Sequence, residues 1–233
     1  MPADLIYGRQ AVREALRGRR RVERVWCSEK ALELFDWLPA GAIVASAAAL
    51  TDRCQSDDHQ GVVAAVEPFR YADPEPLLAA DRPLLVALDE VTDPHNLGAV
   101  ARVAECAGAD GLLITRRRSA PVTAAVCRAS AGAVEHLPVA QVENLAETLL
   151  RARRPGFWSY AAAGDAGQAH DAPDYTDGAV FVLGAEGRGL RPRVRSACDA
   201  EVAIPLHGRI ESLNVSTAAA VLLFEAERQR RRG

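Results

Sequence analysis

Ala179-Val180-Phe181-Val182-Leu183-Gly184-Ala185-Glu186-Gly187-Arg188-Gly189-Leu190 decides how the rest of the chain is read. The apolar run 179–183 is short and β-rich enough for a fully buried strand. Three glycines and one carboxylate in the next seven residues require a sharp turn or a close backbone approach. Glu186 is the informative member, because turning does not need a carboxylate. Downstream, Val202-Ala203-Ile204-Pro205 reads as a second buried strand stopped by proline. Glu211-Ser212-Leu213-Asn214 then leads into Val215, Ala219, Leu222 and Ala226, an apolar stripe at helical spacing. Two strand ends and a helix start thus converge, and in open α/β sheets ligands bind at such a place.

Working outward, Leu84-Leu85-Val86-Ala87-Leu88 is another buried strand, and Asp93-Pro94 is an N-cap with proline at the first helical position. Val100, Val103, Ala104 and Ala107 continue that helix and Gly108 ends it. Asn96 and Arg102 on this helix are six residues apart and share a side only loosely. Strands at 111–114, 136–139 and 157–161 alternate with helices at 122–129 and 144–153. Strands separated by helices predict a mainly parallel sheet covered on both faces. Upstream, the pattern predicts helices over 5–17 and 31–38, strands at 22–26, 42–44 and 62–66, and a short helix capped by Thr51-Asp52. Pro68, Pro74, Pro76 and Pro83 lie between the two regions, so the division is a small α/β domain at 1–66, a proline-rich linker at 67–82 and a larger α/β domain at 83–233. The linker is expected to hold at most a turn of helix at 77–80.

Composition narrows the function classes. The 233 residues carry a formal net charge of −3, so the total does not describe a wholly basic nucleic-acid binder. Arginine is nonetheless clustered at 17–21, 116–118, 151–154, 191–195 and 228–232, which points to an anionic partner. The five cysteines are scattered without a C-x-x-C pair, which fits a reducing compartment and gives no metal-ligand spacing. No basic leader followed by an apolar core opens the chain and no apolar run spans a bilayer, so a cytoplasmic protein without membrane contact is expected. The glycine loop runs G-x-x-G-x-G and lacks a following Lys-Ser or Lys-Thr, which disfavours a nicotinamide oxidoreductase or a P-loop enzyme. Ser130 and Ser212 sit in no G-x-S-x-G elbow.

Three ordered stretches carry a family resemblance. Asp93-Pro94-His95-Asn96-Leu97-Gly98-Ala99-Val100-Ala101-Arg102, Leu183 to Gly189, and Ile204-Pro205-Leu206 with Ser212-Leu213-Asn214-Val215-Ser216 resemble the motifs of the SpoU (TrmH) class of SPOUT RNA methyltransferases. Ser130-Ala131-Gly132-Ala133 is similar too, and residues 5–66 resemble the small α/β substrate-binding domain of the ribosomal RNA guanosine 2'-O-methyltransferases in this class. The resemblance implies a parallel α/β sheet with a C-terminal trefoil knot, a feature periodicity never suggests. It implies a site for S-adenosyl-L-methionine, with no metal, lined by Leu183, Gly184, Ile204, Leu206 and Leu213. It implies Asn96, Arg102, Glu186, Ser212 and Asn214 around the methyl transfer, RNA as partner and a homodimer. Ala185 departs from the Asn or Ser common there, removing a side-chain hydrogen bond. Methylation of tRNA or of a ribosomal RNA adenosine, and a noncatalytic RNA-binding assembly protein of the same fold, remain as alternatives.

Overall fold

A computed structural model describes residues 3–232. Its C-terminal sheet is built from β5 (Leu84–Asp89), β6 (Gly111–Thr115), β7 (Val139–Val142), β8 (Phe157–Ala162), β9 (Gly178–Gly184) and β10 (Ala200–Val202), in the order β10-β8-β9-β5-β6-β7. Every pair in it is parallel. Leu84, Val86 and Leu88 enter one apolar core while Leu85 and Ala87 enter another on the opposite face. Phe181 and Leu183 alternate with Val180 and Val182 in the same way, as a strand buried on both sides requires.

On the first face α5 (Pro94–Cys106), α6 (Ala124–Ala129) and α9 (Val215–Arg230) supply Leu97, Val100, Val126, Ala219 and Leu222. On the second, α4 (Pro74–Ala79), α7 (Leu145–Ala152) and α8 (Pro192–Arg195) supply Leu78, Leu145, Leu149 and Val194. The predicted caps hold: Asp93 accepts from His95 N at 2.9 Å, and Gly108 follows α5 at φ 73°.

The N-terminal sheet contains β1 (Asp4–Tyr7), β2 (Val22–Cys27), β3 (Ile43–Val44) and β4 (Val62–Val66), in the order β1-β4-β2-β3. β4 runs antiparallel to both β1 and β2, and β2 runs parallel to β3. Three sequence expectations change here. Residues 4–7 are a strand, because Asp4 to Tyr7 register against Val66 to Val63, and α1 begins only at Arg9 (Arg9–Arg17). α3 (Ala47–Cys54) takes its cap from Ser46, which accepts from Ala49 N at 3.2 Å, so Thr51 and Asp52 lie inside the helix. α2 spans Glu29–Leu34, ending before the aromatic pair Phe35 and Trp37, whose rings stack at 5.5 Å.

Between the sheets, Asp73 caps α4, so the helix starts earlier than the expected 77–80, and Ala72 N donates to Val139 O at 2.8 Å. One apolar core runs on from Ile6, Val12 and Val62 into Leu84 and Val126. Against it, Arg20 forms an ion pair with Glu135, whose side chain is fully buried, and His136 Nε2 lies 3.0 Å from Glu14 Oε2. The proline-rich stretch therefore joins two sheets that are packed together.

Candidate methyl-donor cleft

β9 delivers Leu183 and Gly184 to the C-terminal edge of the sheet, beside the end of β5. The chain then folds into the 185–189 turn, closed by Gly189 N donating to Ala185 O at 2.9 Å, with Gly187 and Gly189 at φ 76° and 65°. Gly184 is required by close approach: a Cβ there would collide with the Gly189 carbonyl and the Leu190 nitrogen. Ile204 differs from expectation, since β10 ends at Val202; Ala203 N donates to Gln168 O at 2.9 Å and Pro205 follows, so the sheet cannot continue. Residues 204–214 run as irregular chain along the same cleft as the 185–189 turn and enter α9 through Asn214.

A cleft of about 580 Å³ opens among these segments, a size suited to a small-molecule ligand. Leu183, Gly184, Ile204, Leu206 and Leu213 all line it, together with Glu186, Ser212 and Asn214. Ala162, Ala163 and Gly164 at the end of β8, and Glu211, also line it; the 162–164 segment carries no sequence signal beyond lying at a strand end. Arg195 holds this wall by donating to Glu201 Oε1 at 2.9 Å and to Asp165 Oδ2 at 3.1 Å. Those hydrogen bonds keep both carboxyls below their ordinary range.

Asn214 organises the polar end. Its Oδ1 accepts from Ser216 N at 2.8 Å, capping α9, while its Nδ2 donates to Asn96 Oδ1 at 2.9 Å and to Glu186 Oε1. Asn96, Glu186 and Asn214, 118 positions apart at the extremes, are thus joined by one amide. Arg102 is not brought to this group: it is exposed on α5 and does not line the cleft. Several other arginines are engaged within the fold. Arg153 pairs with Asp199 at 2.9 Å, Arg154 donates to Ala80 O at 2.8 Å, and Arg191 pairs with Asp89 at 2.6 Å. Arg17, Arg19, Arg117, Arg188 and Arg193 remain exposed.

The SpoU rRNA Methylase family matches residues 83–224, and the RNA 2'-O ribose methyltransferase substrate-binding family matches residues 5–72. The chain belongs to the SpoU rRNA methylase family. Among relatives, a 23S rRNA (guanosine-2'-O-)-methyltransferase RlmB of Shewanella oneidensis is 38% identical, over 98% of this chain and 98% of its own length. An uncharacterized tRNA/rRNA methyltransferase of Synechocystis sp. is 35% identical over 97% of this chain, which spans 63% of that longer protein. The crystal structure of the SpoU methyltransferase AviRb from Streptomyces viridochromogenes in complex with the cofactor AdoMet superposes with a TM-score of 0.81 at 27% identity, covering 98% of this chain and 91% of that one. The family thus accounts for both sheets, and the SPOUT fold class expected from the motifs is the one observed.

The cleft suits S-adenosylmethionine. Leu183, Ile204, Leu206 and Leu213 give it apolar walls for a flat ring, and the irregular backbone of 185–190 and 204–213 gives it peptide groups outside strand ladders. Gly184, which lines it, lets the Gly189–Leu190 peptide pack directly against its α-carbon. Among the described residues, no group of three or more His, Cys, Asp or Glu side chains is placed to hold a metal ion.

Proposed function

We propose that the chain methylates the ribose 2'-hydroxyl of a guanosine in large-subunit ribosomal RNA, with S-adenosyl-L-methionine as donor. The observation that carries this reading is the meeting of Asn96, Glu186 and Asn214 at the polar end of an apolar cleft. The guanosine and the ribosomal substrate rest on the RlmB relative and on the N-terminal substrate-binding region. S-adenosylmethionine, when bound, supplies an electrophilic methyl group on a sulfonium.

The chain's own residues supply orientation. Leu183, Gly184, Ile204, Leu206 and Leu213 hold the donor, and Ser212 fixes the loop that enters α9. Asn214 locks Glu186 and Asn96 in one arrangement, leaving the Asn96 amide and the second Glu186 oxygen to meet the ribose. Arg102 grips the adjacent phosphate through its planar guanidinium. A guanidinium is a poor base, so its part is positioning and electrostatic help rather than proton removal.

Arg102 meets the cleft only when RNA or a second copy of the chain spans the gap. Exposed Leu206, Ile210, Leu213 and Phe224 beside the cleft and on α9 support a homodimer on that face. The trefoil knot belongs to the same reading and is supported by the passage of 204–214 beside the 184–190 turn. We take 1–66 as the RNA-binding domain, 67–82 as the connector and 83–233 as the catalytic domain. The protein acts in the cytoplasm on this reading; no helix among the described residues is long and apolar enough to cross a membrane.

Incubating the chain with labelled S-adenosylmethionine and either ribosomal RNA or tRNA, followed by nucleoside mass spectrometry, tests the proposal. Methylated guanosine in large-subunit RNA is expected. Label in tRNA, or in 2'-O-methyladenosine, refutes the substrate assignment; cofactor binding without transfer to any RNA supports the noncatalytic reading instead.

A further inference from the structure

Asp89 ends β5 directly opposite Gly184 in the sheet, and its side chain is fully buried. Both of its carboxylate oxygens accept from one residue. Oδ2 takes the backbone N of Arg191 at 2.9 Å, while Oδ1 takes Nε at 2.9 Å and a terminal guanidinium nitrogen at 2.6 Å. The remaining terminal nitrogen of Arg191 lies 3.1 Å from Glu90 Oε1, which Arg118 also approaches at 3.2 Å. Glu90 sits at φ 57°, a left-handed conformation unfavourable for a side chain of its kind and maintained only where the surroundings impose it. Glycine would adopt that backbone freely, so a carboxylate there indicates that the side chain is used.

These contacts bracket the glycine turn. Its first residue, Gly184, is held in the ladder beside Asp89, and its exit, Leu190, is followed at once by Arg191 clasped to the same carboxylate. The Gly189–Leu190 peptide consequently rests against the Gly184 α-carbon, leaving no room for a Cβ. Glu186 is at the tip of the turn so pinned, and it reaches Asn214.

We propose that Asp89, Glu90 and Arg191 are a clamp of positioning residues: by closing the two ends of the 184–190 turn they set the floor of the donor cleft and aim Glu186 at the reacting ribose. The three touch neither donor nor RNA; they act through Gly184 and Glu186. This inference rests on the methyltransferase reading above. It also removes Arg191 from the RNA-binding arginines, since its guanidinium is committed to Asp89 and Glu90, and the Asp89 hydrogen bond raises its affinity for the proton above the ordinary value.

The test uses the full chain and measures donor affinity by calorimetry, kcat at saturating donor and RNA, and thermal stability. Arg191→Met is expected to weaken donor binding about tenfold, the effect of losing charge-assisted hydrogen bonds at a buried carboxylate, and to lower kcat. Arg191→Lys, which keeps the charge but loses the fork, is expected to fall between it and wild type. Glu143→Gln, which breaks the exposed Arg116 pair at the far side of the sheet, serves as a control with unchanged donor affinity. Combining Arg191→Met with Glu186→Gln separates positioning from simple stabilisation. A clamp acting through Glu186 makes the two losses in kcat less than additive. Losses in kcat that multiply, or an Arg191→Met variant binding donor as wild type does, overturn the clamp. A wild-type chain that neither binds donor nor methylates RNA refutes the methyltransferase reading and the clamp together.

Discussion

Asn214 performs two tasks with two atoms, and they can be separated by substitution. Oδ1 caps α9, and Nδ2 joins Glu186 to Asn96. Asn214→Asp keeps a capping oxygen, which the helix favours, but presents a carboxylate to Glu186 where a donor stood. Asn214→Ala removes both functions. Loss of the cap is worth about 1 kcal/mol, which for a chain of this size lowers Tm by roughly 2–4 °C. Loss of a hydrogen bond to an ionised group is worth about 1.5–3 kcal/mol, and if it is felt fully in the transition state, transfer slows on the order of 10- to 100-fold. Asn214→Asp should therefore retain much of its helix capping yet lose transfer at least as severely as Asn214→Ala. Thermal melts paired with initial rates of methyl incorporation into RNA read the two quantities separately. An Asn214→Asp variant that methylates at the wild-type rate would refute the role given to the amide.

Three further outcomes follow from the packing. Arg20→Met leaves the buried Glu135 carboxylate without its main partner and should cost about 3–5 kcal/mol, seen as a fall in Tm on the order of 10 °C; Arg20→Met with Glu135→Leu should regain much of it. Glu225 is held down from 4.5 to about 2 by hydrogen bonds from Arg228 first and Gln229 second. Because the folded value is the lower one, its stabilisation is complete above the unfolded value and disappears as pH falls towards 2, so melts of wild type and Glu225→Gln should differ at neutral pH and converge in acid. Burial pushes the Cys127 thiol up to about 12, whereas Cys106 is exposed. Ellman's reagent at mildly alkaline pH should modify Cys106 in the native protein and reach Cys127 only after denaturation.

The larger sheet was legible because its central strands β5 and β9 are buried on both faces, so Leu84–Leu88 and Ala179–Leu183 appear as unbroken apolar runs between capped helices. Asp93-Pro94 was equally plain, since a cap and an N1 proline are local chemistry. β1 was hidden because Asp4 to Tyr7 acquires its strand character from pairing with β4, some 60 residues away, while the helical stripe of α1 follows immediately. The choice of Ser46 over Thr51 as cap turned on one short polar residue against another. At the site, the motif residues Leu183, Gly184, Glu186, Ile204, Leu206, Ser212, Leu213 and Asn214 fall along one cleft, whereas Arg102, six residues along α5 from Asn96, is exposed and does not line it. The Arg20–Glu135 and Asp89–Arg191 pairs were also invisible: each joins residues about a hundred positions apart, and arginine clustering in the sequence suggested RNA for charges that the fold itself uses.

Gly184, Ile204 and Leu213 line the cleft proposed for the methyl donor. Its occupant is identified by calorimetric titration of the chain with S-adenosylmethionine, repeated on Gly184→Ala. Saturable binding by wild type, abolished when a Cβ forces the Gly189–Leu190 peptide away from residue 184, is predicted. No binding by wild type, or equal binding by the two proteins, would contradict it.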